Sequence, residues 1–280
     1  MRTAIVTDST SYIPQELRES LDIHMIPLNV IFGDASYQEE VEITTEQFFI
    51  KIREQKELPK TSQPSYGKII SKFEHLSKEY DAVIAICLSS GISGTYQSMV
   101  SAGTMLNDIE VIAYDSEISC MVQGYYVIEA AKMAQRGAEP SEIIARLDEM
   151  KKSINAYFMV NDLDHLQRGG RLSSAQAFVG SLLQVKPILT FTDKQIVAFE
   201  KIRTEKKAMK RILELFGEVA SKGEKMRAVV IHSSREDDAK ELAKQLGETY
   251  SNVEMDISYF GPVIGTHLGE GSLGLGWYVI

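Results

Sequence analysis

Short apolar runs alternate with amphipathic stretches along most of the chain, a rhythm that predicts βα units around a largely parallel sheet. In the first half, strands are predicted over residues 3–7, 25–32, 82–88 and 110–114. Ala82-Val83-Ile84-Ala85-Ile86-Cys87-Leu88 is apolar without a break, as a central strand covered on both faces must be. Helices start at recognisable caps. Thr44 with Gln47 three positions on makes a capping box, and Pro140-Ser141 opens a helix over 142–152. The rhythm breaks around Asn161, ahead of the Gly169-Gly170 pair, which places a domain boundary there and predicts domains of 1–160 and 161–280. Beyond it, 187–191 and 196–199 predict a hairpin turning at Thr192-Asp193-Lys194. An amphipathic helix over 205–220 follows, ended by Gly223, then a strand over 228–232, a helix over 235–250 and a strand over 253–259. The glycine-rich stretch 261–276 is predicted to be loop.

Composition narrows the class. With 280 residues, 44% hydrophobic and 25% charged, the chain has enough apolar material for two folded domains. A net charge of −9 with scattered Lys and Arg excludes the basic footprint that nucleic-acid backbones require. The apolar stretch before Asp8 is too short for a signal-peptide core, and no run approaches the roughly 20 residues of a membrane span, so a cytoplasmic location is expected. Cys87 and Cys120 lie in apolar contexts with no CxxC pairing and read as buried thiols.

The candidate chemistry sits in loops. Gly269-Glu270-Gly271-Ser272-Leu273-Gly274 matches GxGxxG, but a dinucleotide site needs a preceding strand, a following helix and an acidic residue about 20 positions on. The match is therefore a turn-rich loop. No Gly-Lys-Ser or Gly-Lys-Thr occurs, so autonomous use of ATP has no support. Ser89-Ser90-Gly91-Ile92-Ser93-Gly94-Thr95 follows the apolar strand and precedes a helix predicted over 96–106. Small residues there would leave backbone N–H groups exposed at a helix N-terminus, a place for a carboxylate or phosphate; the competing reading is that Ser93 or Thr95 caps the helix. Ser93 as a nucleophile is a further alternative, weakened because Thr95 stands where the GxSxG elbow demands glycine.

Thr61-Ser62-Gln63-Pro64-Ser65 is a second hydroxyl cluster. Ser65 suits an N-cap, whereas Thr61 and Ser62 read equally as loop or as ligand donors. Asp8, in Thr7-Asp8-Ser9-Thr10 at a strand's carboxyl end, reads as a turn or cap residue, with service to a ligand the alternative. His267, set among glycines in 261–269, can approach a ligand closely and donate to a carboxylate, or simply pack. His24 and His232 fall in predicted strands and His75 on a charged helix. Asp162, Asp164 and His165 hint at a metal, yet the segment reads as a helical turn ending at Gly169. Arg171 and Arg203 suit an anion, a partner or solvent. The 11 Met and 22 Tyr plus Phe residues fill cores or line an apolar tunnel.

Taken together, these segments resemble the DegV family, bacterial fatty-acid-binding proteins that include the binding subunits (FakB) of fatty acid kinase. The resemblance runs through Ile5-Val6-Thr7-Asp8-Ser9-Thr10, Thr61-Ser62-Gln63-Pro64-Ser65, residues 88–98, Asp115-Ser116, Leu166-Gln167-Arg168-Gly169-Gly170-Arg171, Lys186-Pro187-Ile188-Leu189 and residues 261–267, in family order. It implies two α/β domains, the first with a largely parallel sheet flanked by helices, and a long-chain fatty acid held between them with its acyl chain in an apolar tunnel. The carboxylate anchors it implies are Thr61, Ser93 and His267, with Arg203 a contact for partner or head group. It also implies no cofactor, no catalysis by the chain itself, and a separate ATP-dependent kinase that phosphorylates the bound acid for phospholipid synthesis. The rival class is a serine-dependent acyl hydrolase or transferase using Ser93 and His267. Two departures from the family pattern, Val122 and Glu270, leave the anchors untouched.

Overall fold

The computed structural model describes residues 1–54, 58–161, 163–172 and 186–280. The chain divides into two compact units, Met1–Lys152 and Ser153–Ile280. The division falls ahead of the expected 160/161 boundary because Asn155–Met159 is a strand paired within the second unit.

In the first unit, β1 (Thr3–Asp8) ends in a short 3-10 turn (Ser9–Ser11). It is followed by α1 (Gln15–Ser20), β2 (Ile23–Ile26), β3 (Asn29–Phe32), β4 (Ala35–Gln38), α2 (Thr45–Glu54), β5 (Lys60–Ser62) and α3 (Tyr66–Leu76). Then come β6 (Ala82–Cys87), α4 (Thr95–Gly103), β7 (Glu110–Asp115), α5 (Cys120–Gln135) and α6 (Pro140–Lys151). The order β2-β1-β6-β7 makes a wholly parallel sheet. Every residue of β1 and β6 is buried, the burial expected of apolar runs covered on both faces. Ala4 and Val6 of β1 join Val83, Ala85 and Cys87 of β6 against Ile69 and Phe73 of α3 and Met99 of α4. α5 packs against β1 and β6. Each such large apolar side chain contributes about 1.5–3 kcal/mol.

The strand predicted over 25–32 is two strands in two sheets. β2 ends at Ile26, because Pro27 offers no N–H to continue a ladder, and β3 joins a small antiparallel sheet of order β4-β3-β5. The Thr44 capping box forms as expected, Gln47 N–H donating to Thr44 Oγ1 (3.2 Å) and Thr44 N–H to Gln47 Oε1 (3.0 Å).

The second unit contains β8 (Asn155–Met159), α7 (Asp164–Arg168), β9 (Ile188–Thr192), β10 (Gln195–Glu200) and α8 (Glu205–Ala220), then β11 (Met226–His232), α9 (Glu236–Thr249), β12 (Val253–Tyr259), α10 (Pro262–Leu268) and β13 (Leu273–Val279). Its sheet runs β10-β9-β8-β13-β11-β12 and is antiparallel except for β11 with β12. The predicted hairpin is present, turning on Asp193 and Lys194 at φ of 48° and 69°, the left-handed pair of a type I′ turn.

The loop predicted over 261–276 is overturned. Pro262 starts α10 from the first position, where its missing N–H costs nothing. β13, Leu-Gly-Leu-Gly-Trp-Tyr-Val, lies between β8 and β11. Its glycines serve close packing: a Cβ on Gly274 would sit 2.9 Å from Phe158 Cβ. Among the described residues no helix is long and apolar enough to cross a membrane.

Candidate functional site

The loop after β6 is defined by where its amides go. Leu88 N–H donates to Asp8 Oδ2 (2.7 Å), Ser89 N–H to the Ile118 carbonyl (2.7 Å) and Ser90 N–H to Asp115 Oδ1 (3.1 Å). Gly91 N–H reaches Ser89 Oγ (3.3 Å), and Ile92 and Ser93 N–H both reach the Ser89 carbonyl at 3.2 Å. Thr95 N–H donates to Ser93 Oγ (3.3 Å). The expectation of exposed loop amides is therefore corrected: at Leu88–Ser93 and Thr95 they are spent inside the protein. Two hydroxyls remain in the loop, that of half-buried Ser93 and, behind it, that of buried Thr95, Ser93 Oγ and Thr95 Oγ1 pairing at 2.9 Å. Ahead of them stand the amides of Tyr96 and Gln97, which have no partner inside a helix's first turn.

Asp8 is the strut beneath this loop. Its carboxylate is fully buried and accepts from Thr10 N–H (3.0 Å), Thr10 Oγ1 (2.6 Å), Leu88 N–H and Gln123 Nε2 (3.2 Å). Burial raises its pKa, opposed by the hydrogen bond from Thr10. The turn role expected of Asp8 is thus realised. A second fully buried carboxylate, Glu39, takes the hydroxyls of Ser9 (2.5 Å) and Tyr12 (2.9 Å); nothing in the spacing around Glu39 announced it.

Thr61 stands on β5 opposite Val30, half-buried, so the second cluster begins as strand rather than loop. Asn29 Nδ2 donates to Ser62 Oγ (3.2 Å). Gln63 then joins the two hydroxyl clusters. Its Nε2 donates to Ser98 Oγ on α4 (2.7 Å), and its Oε1 lies 2.2 Å from where a Cβ on Gly94 would be. Within the first unit, Thr61 and Ser93 therefore belong to neighbouring segments stapled by Gln63, a residue to which the sequence pattern assigned no role. Ser65 precedes α3 as its N-cap residue but makes no side-chain cap.

In the second unit, α7 and α10 pack together and carry the histidines. His165 Nδ1 donates to the Thr266 carbonyl (3.2 Å). His267, largely buried, has Nδ1 only 2.3 Å from the position of a Cβ on Gly169, so glycine there is required by contact. Burial foremost, then the charge of Arg171 and the neighbouring His165, pushes the His267 pKa down to about 4. The imidazole is neutral at pH 7 and offers one N–H. Arg171 Nη1 donates to the Gly169 carbonyl, and Arg203 is exposed just before Thr204, the N-cap of α8.

Ser93 lacks an elbow's strained backbone, since its φ is not positive, and its hydroxyl meets Thr95. Both thiols are buried and raised, Cys120 to about 12, chiefly by burial, so neither is a thiolate at neutral pH. Asp162 lies outside the described residues, and among those described no cluster of His, Cys, Asp and Glu suits a metal. A cleft of about 320 Å³ lined by Arg2, Asp22, Tyr80 and Gln135 opens at the amino end of β1, the end of a parallel sheet away from ligands.

The chain matches known proteins over its full length, in sequence and in fold. The profile of the DegV family, described as "Uncharacterised protein, DegV family", covers residues 2–279. The chain belongs to the DegV family. It is 57% identical over 278 residues to Protein DegV of Bacillus subtilis, covering 99% of each chain. The crystal structure of that organism's DegV, described as a fatty acid binding protein, superposes with a TM-score of 0.96 at 56% identity over 100% of both chains. A DegV family protein from Thermus thermophilus, described by its fatty acid binding, gives a TM-score of 0.93 at 33% identity, again over 100% of both chains.

Proposed function

We propose that this protein binds one long-chain fatty acid, its carboxylate taking hydrogen bonds from Thr61 and Ser93 of the first unit and from His267 of the second, its acyl chain lying among apolar side chains. The observation that carries the reading is the donor set. With the loop amides from Leu88 to Ser93 spent internally, what remains is the hydroxyls of half-buried Ser93 and of buried Thr95 paired behind it. They suit a small, singly charged acceptor. Neutral His267 adds a donor without adding charge. In a protein of net charge −9, such local donors must do the recognising, because the overall field repels an anion. Each acyl methylene removed from water contributes about 0.8 kcal/mol, so the chain supplies affinity and the head-group donors supply orientation.

The bound acid is presented to a separate ATP-dependent kinase that forms the acyl phosphate for phospholipid synthesis, Arg203 facing that partner or the head group. The absence of a Gly-Lys-Ser or Gly-Lys-Thr phosphate loop supports the division of labour. The likeness to relatives described as fatty acid binding supports the ligand class.

Native mass spectrometry of the purified protein is expected to show one co-purified fatty acid, and the delipidated protein to take up palmitate or oleate. Protein that carries none and takes up none defeats the proposal. Ser93→Ala and His267→Ala are each expected to weaken palmitate binding by at least tenfold, since a hydrogen bond to a charged group contributes roughly 1.5–3 kcal/mol. Acyl phosphate is expected only when kinase, ATP and this protein are all present.

A further inference from the structure

We propose that the cleft at the amino end of β1 is a second ligand site, one that takes a small zwitterion with an apolar side chain, a free α-amino acid or a dipeptide. The ligand's carboxylate meets Arg2 and Thr3, and its ammonium meets Asp22. The cleft encloses about 320 Å³, within the roughly 300–1,000 Å³ of small-molecule sites. It lies wholly in the first unit, at the other end of β1 from Asp8 and the hydroxyl loop, roughly 17 Å along the strand. Ligands of parallel sheets ordinarily sit at the carboxyl end, which the fatty-acid reading uses, so the two readings stand or fall separately.

Two charges in the lining are left unmatched and do not pair with each other. The Arg2 backbone is held, its N–H donating to Asp81 Oδ2 and its carbonyl accepting Asp81 N–H, both at 2.8 Å. Its guanidinium makes no hydrogen bond or ion pair among the described residues. Asp22, at φ 54°, turns the chain into β2. Its carboxylate accepts the Tyr80 hydroxyl and stands 3.7 Å from His24 Nε2. Both neighbours are uncharged at pH 7. The hydrogen bond to Asp22, then burial, pushes Tyr80 up to about 12, and burial moves His24 below its usual value. The pairing of Ile5 with Ile23 sets Arg2 and Asp22 two residues out of step on adjacent strands, Cα atoms roughly 8 Å apart. A guanidinium grips a carboxylate through two parallel N–H bonds. The Asp22 carboxylate has lone pairs to spare for an ammonium, and exposed Glu79 adds a second acidic group.

The floor supplies an independent sign of a ligand. Thr3 shares the cleft face of β1 with Ile5. It is only 7% exposed, and its hydroxyl is buried with no hydrogen-bond partner among the described residues. Such a group is costly to leave unmet, and a ligand oxygen on the floor meets it. Leu21, Ala131 and Ala134 form an apolar wall. Gln135 Nε2 donates to the Ser20 carbonyl (3.1 Å), tying the end of α5 to the end of α1 and holding that wall in place.

Isothermal titration of the untagged full-length protein, carrying its native lipid, with L-leucine and with L-leucyl-L-leucine tests the site. At least one is expected to bind with a Kd below about 1 mM. The N-acetyl derivative of whichever binds lacks the ammonium, and its amide lacks the carboxylate; each is expected to bind at least tenfold more weakly. Arg2→Gln is expected to abolish the preference for the free carboxylate, and Asp22→Asn to narrow the preference for the free ammonium. Thr3→Val is expected to weaken binding severalfold while the urea midpoint holds or rises, because the hydroxyl it removes has no partner. Failure of both zwitterions to bind at about 10 mM overturns the inference. So do derivatives that bind as well as the parent, both read on wild type. A charge variant that keeps the wild-type preference overturns it as well, as does a Thr3→Val protein with unchanged affinity or a lowered midpoint. Fatty-acid content by native mass spectrometry is expected to be the same in all three variants, and its loss from them overturns the separateness of the site.

Discussion

At Gly169 one missing methyl group decides where the His267 imidazole lies. The residue's φ of −71° suits any amino acid, so the objection to a side chain is contact alone: a Cβ would stand 2.3 Å from His267 Nδ1 and 3.0 Å from the His165 carbonyl. Gly169→Ala is expected to displace the imidazole, cutting palmitate affinity at least tenfold while costing about 1–2 kcal/mol in a urea melt. His267 also leaves a mark on pH dependence. Unfolded, it takes a proton near pH 6.5; folded, only near 4. Unfolding therefore gains a proton between those values, and stability falls as pH drops through that window. Comparing wild type with His267→Gln isolates this contribution from His24 and His232, whose pKa values are also lowered by burial. The wild-type slope is expected to be steeper by at most about 1.4 kcal/mol per pH unit.

Among the elements, α5 is the one whose absence from the pattern matters most. From Cys120 to Ile128 every residue is buried, so no polar stripe alternates with an apolar one and periodicity has nothing to report. The helix nevertheless delivers Gln123 to Asp8. Its Gly124 lies so close to the Ser11 carbonyl that a Cβ would sit 2.9 Å away, with Met121 Sδ at 3.0 Å. In an exposed helix Gly→Ala gains up to about 1 kcal/mol. Here Gly124→Ala is expected to lose about 1–3 kcal/mol through overpacking, measured as a lower urea midpoint by circular dichroism. Elements with one wet face were legible instead: α8 spans Glu205–Ala220 and β12 Val253–Tyr259 as their patterns indicated.

Across the whole molecule the single Trp, Trp277, lies in the core of the second unit, its ring 5.3 Å from Phe216 and 5.6 Å from Tyr157. Its fluorescence therefore reports on that unit. Phe216→Ala is expected to destabilise it by about 3–5 kcal/mol, seen as an earlier red shift of emission in denaturant.

What the amino-acid order determined by itself was local and periodic: the two-unit α/β plan, most amphipathic helices, the 187–199 hairpin, the buried thiols, and the chemical character of the loops bearing Thr61, Ser93 and His267. Those signals are written in spacing and residue type within a few turns of chain. Only tertiary structure decided that Leu-Gly-Leu-Gly-Trp is a strand inside a sheet, since glycine is chosen there by the nearness of Phe158. It alone decided that Pro27 separates strands of different sheets, and that Asp8 and Asp115 consume the amides of Leu88 and Ser90. Such choices depend on partners tens of residues away, and a backbone donor gives no sign in sequence of which distant acceptor will claim it.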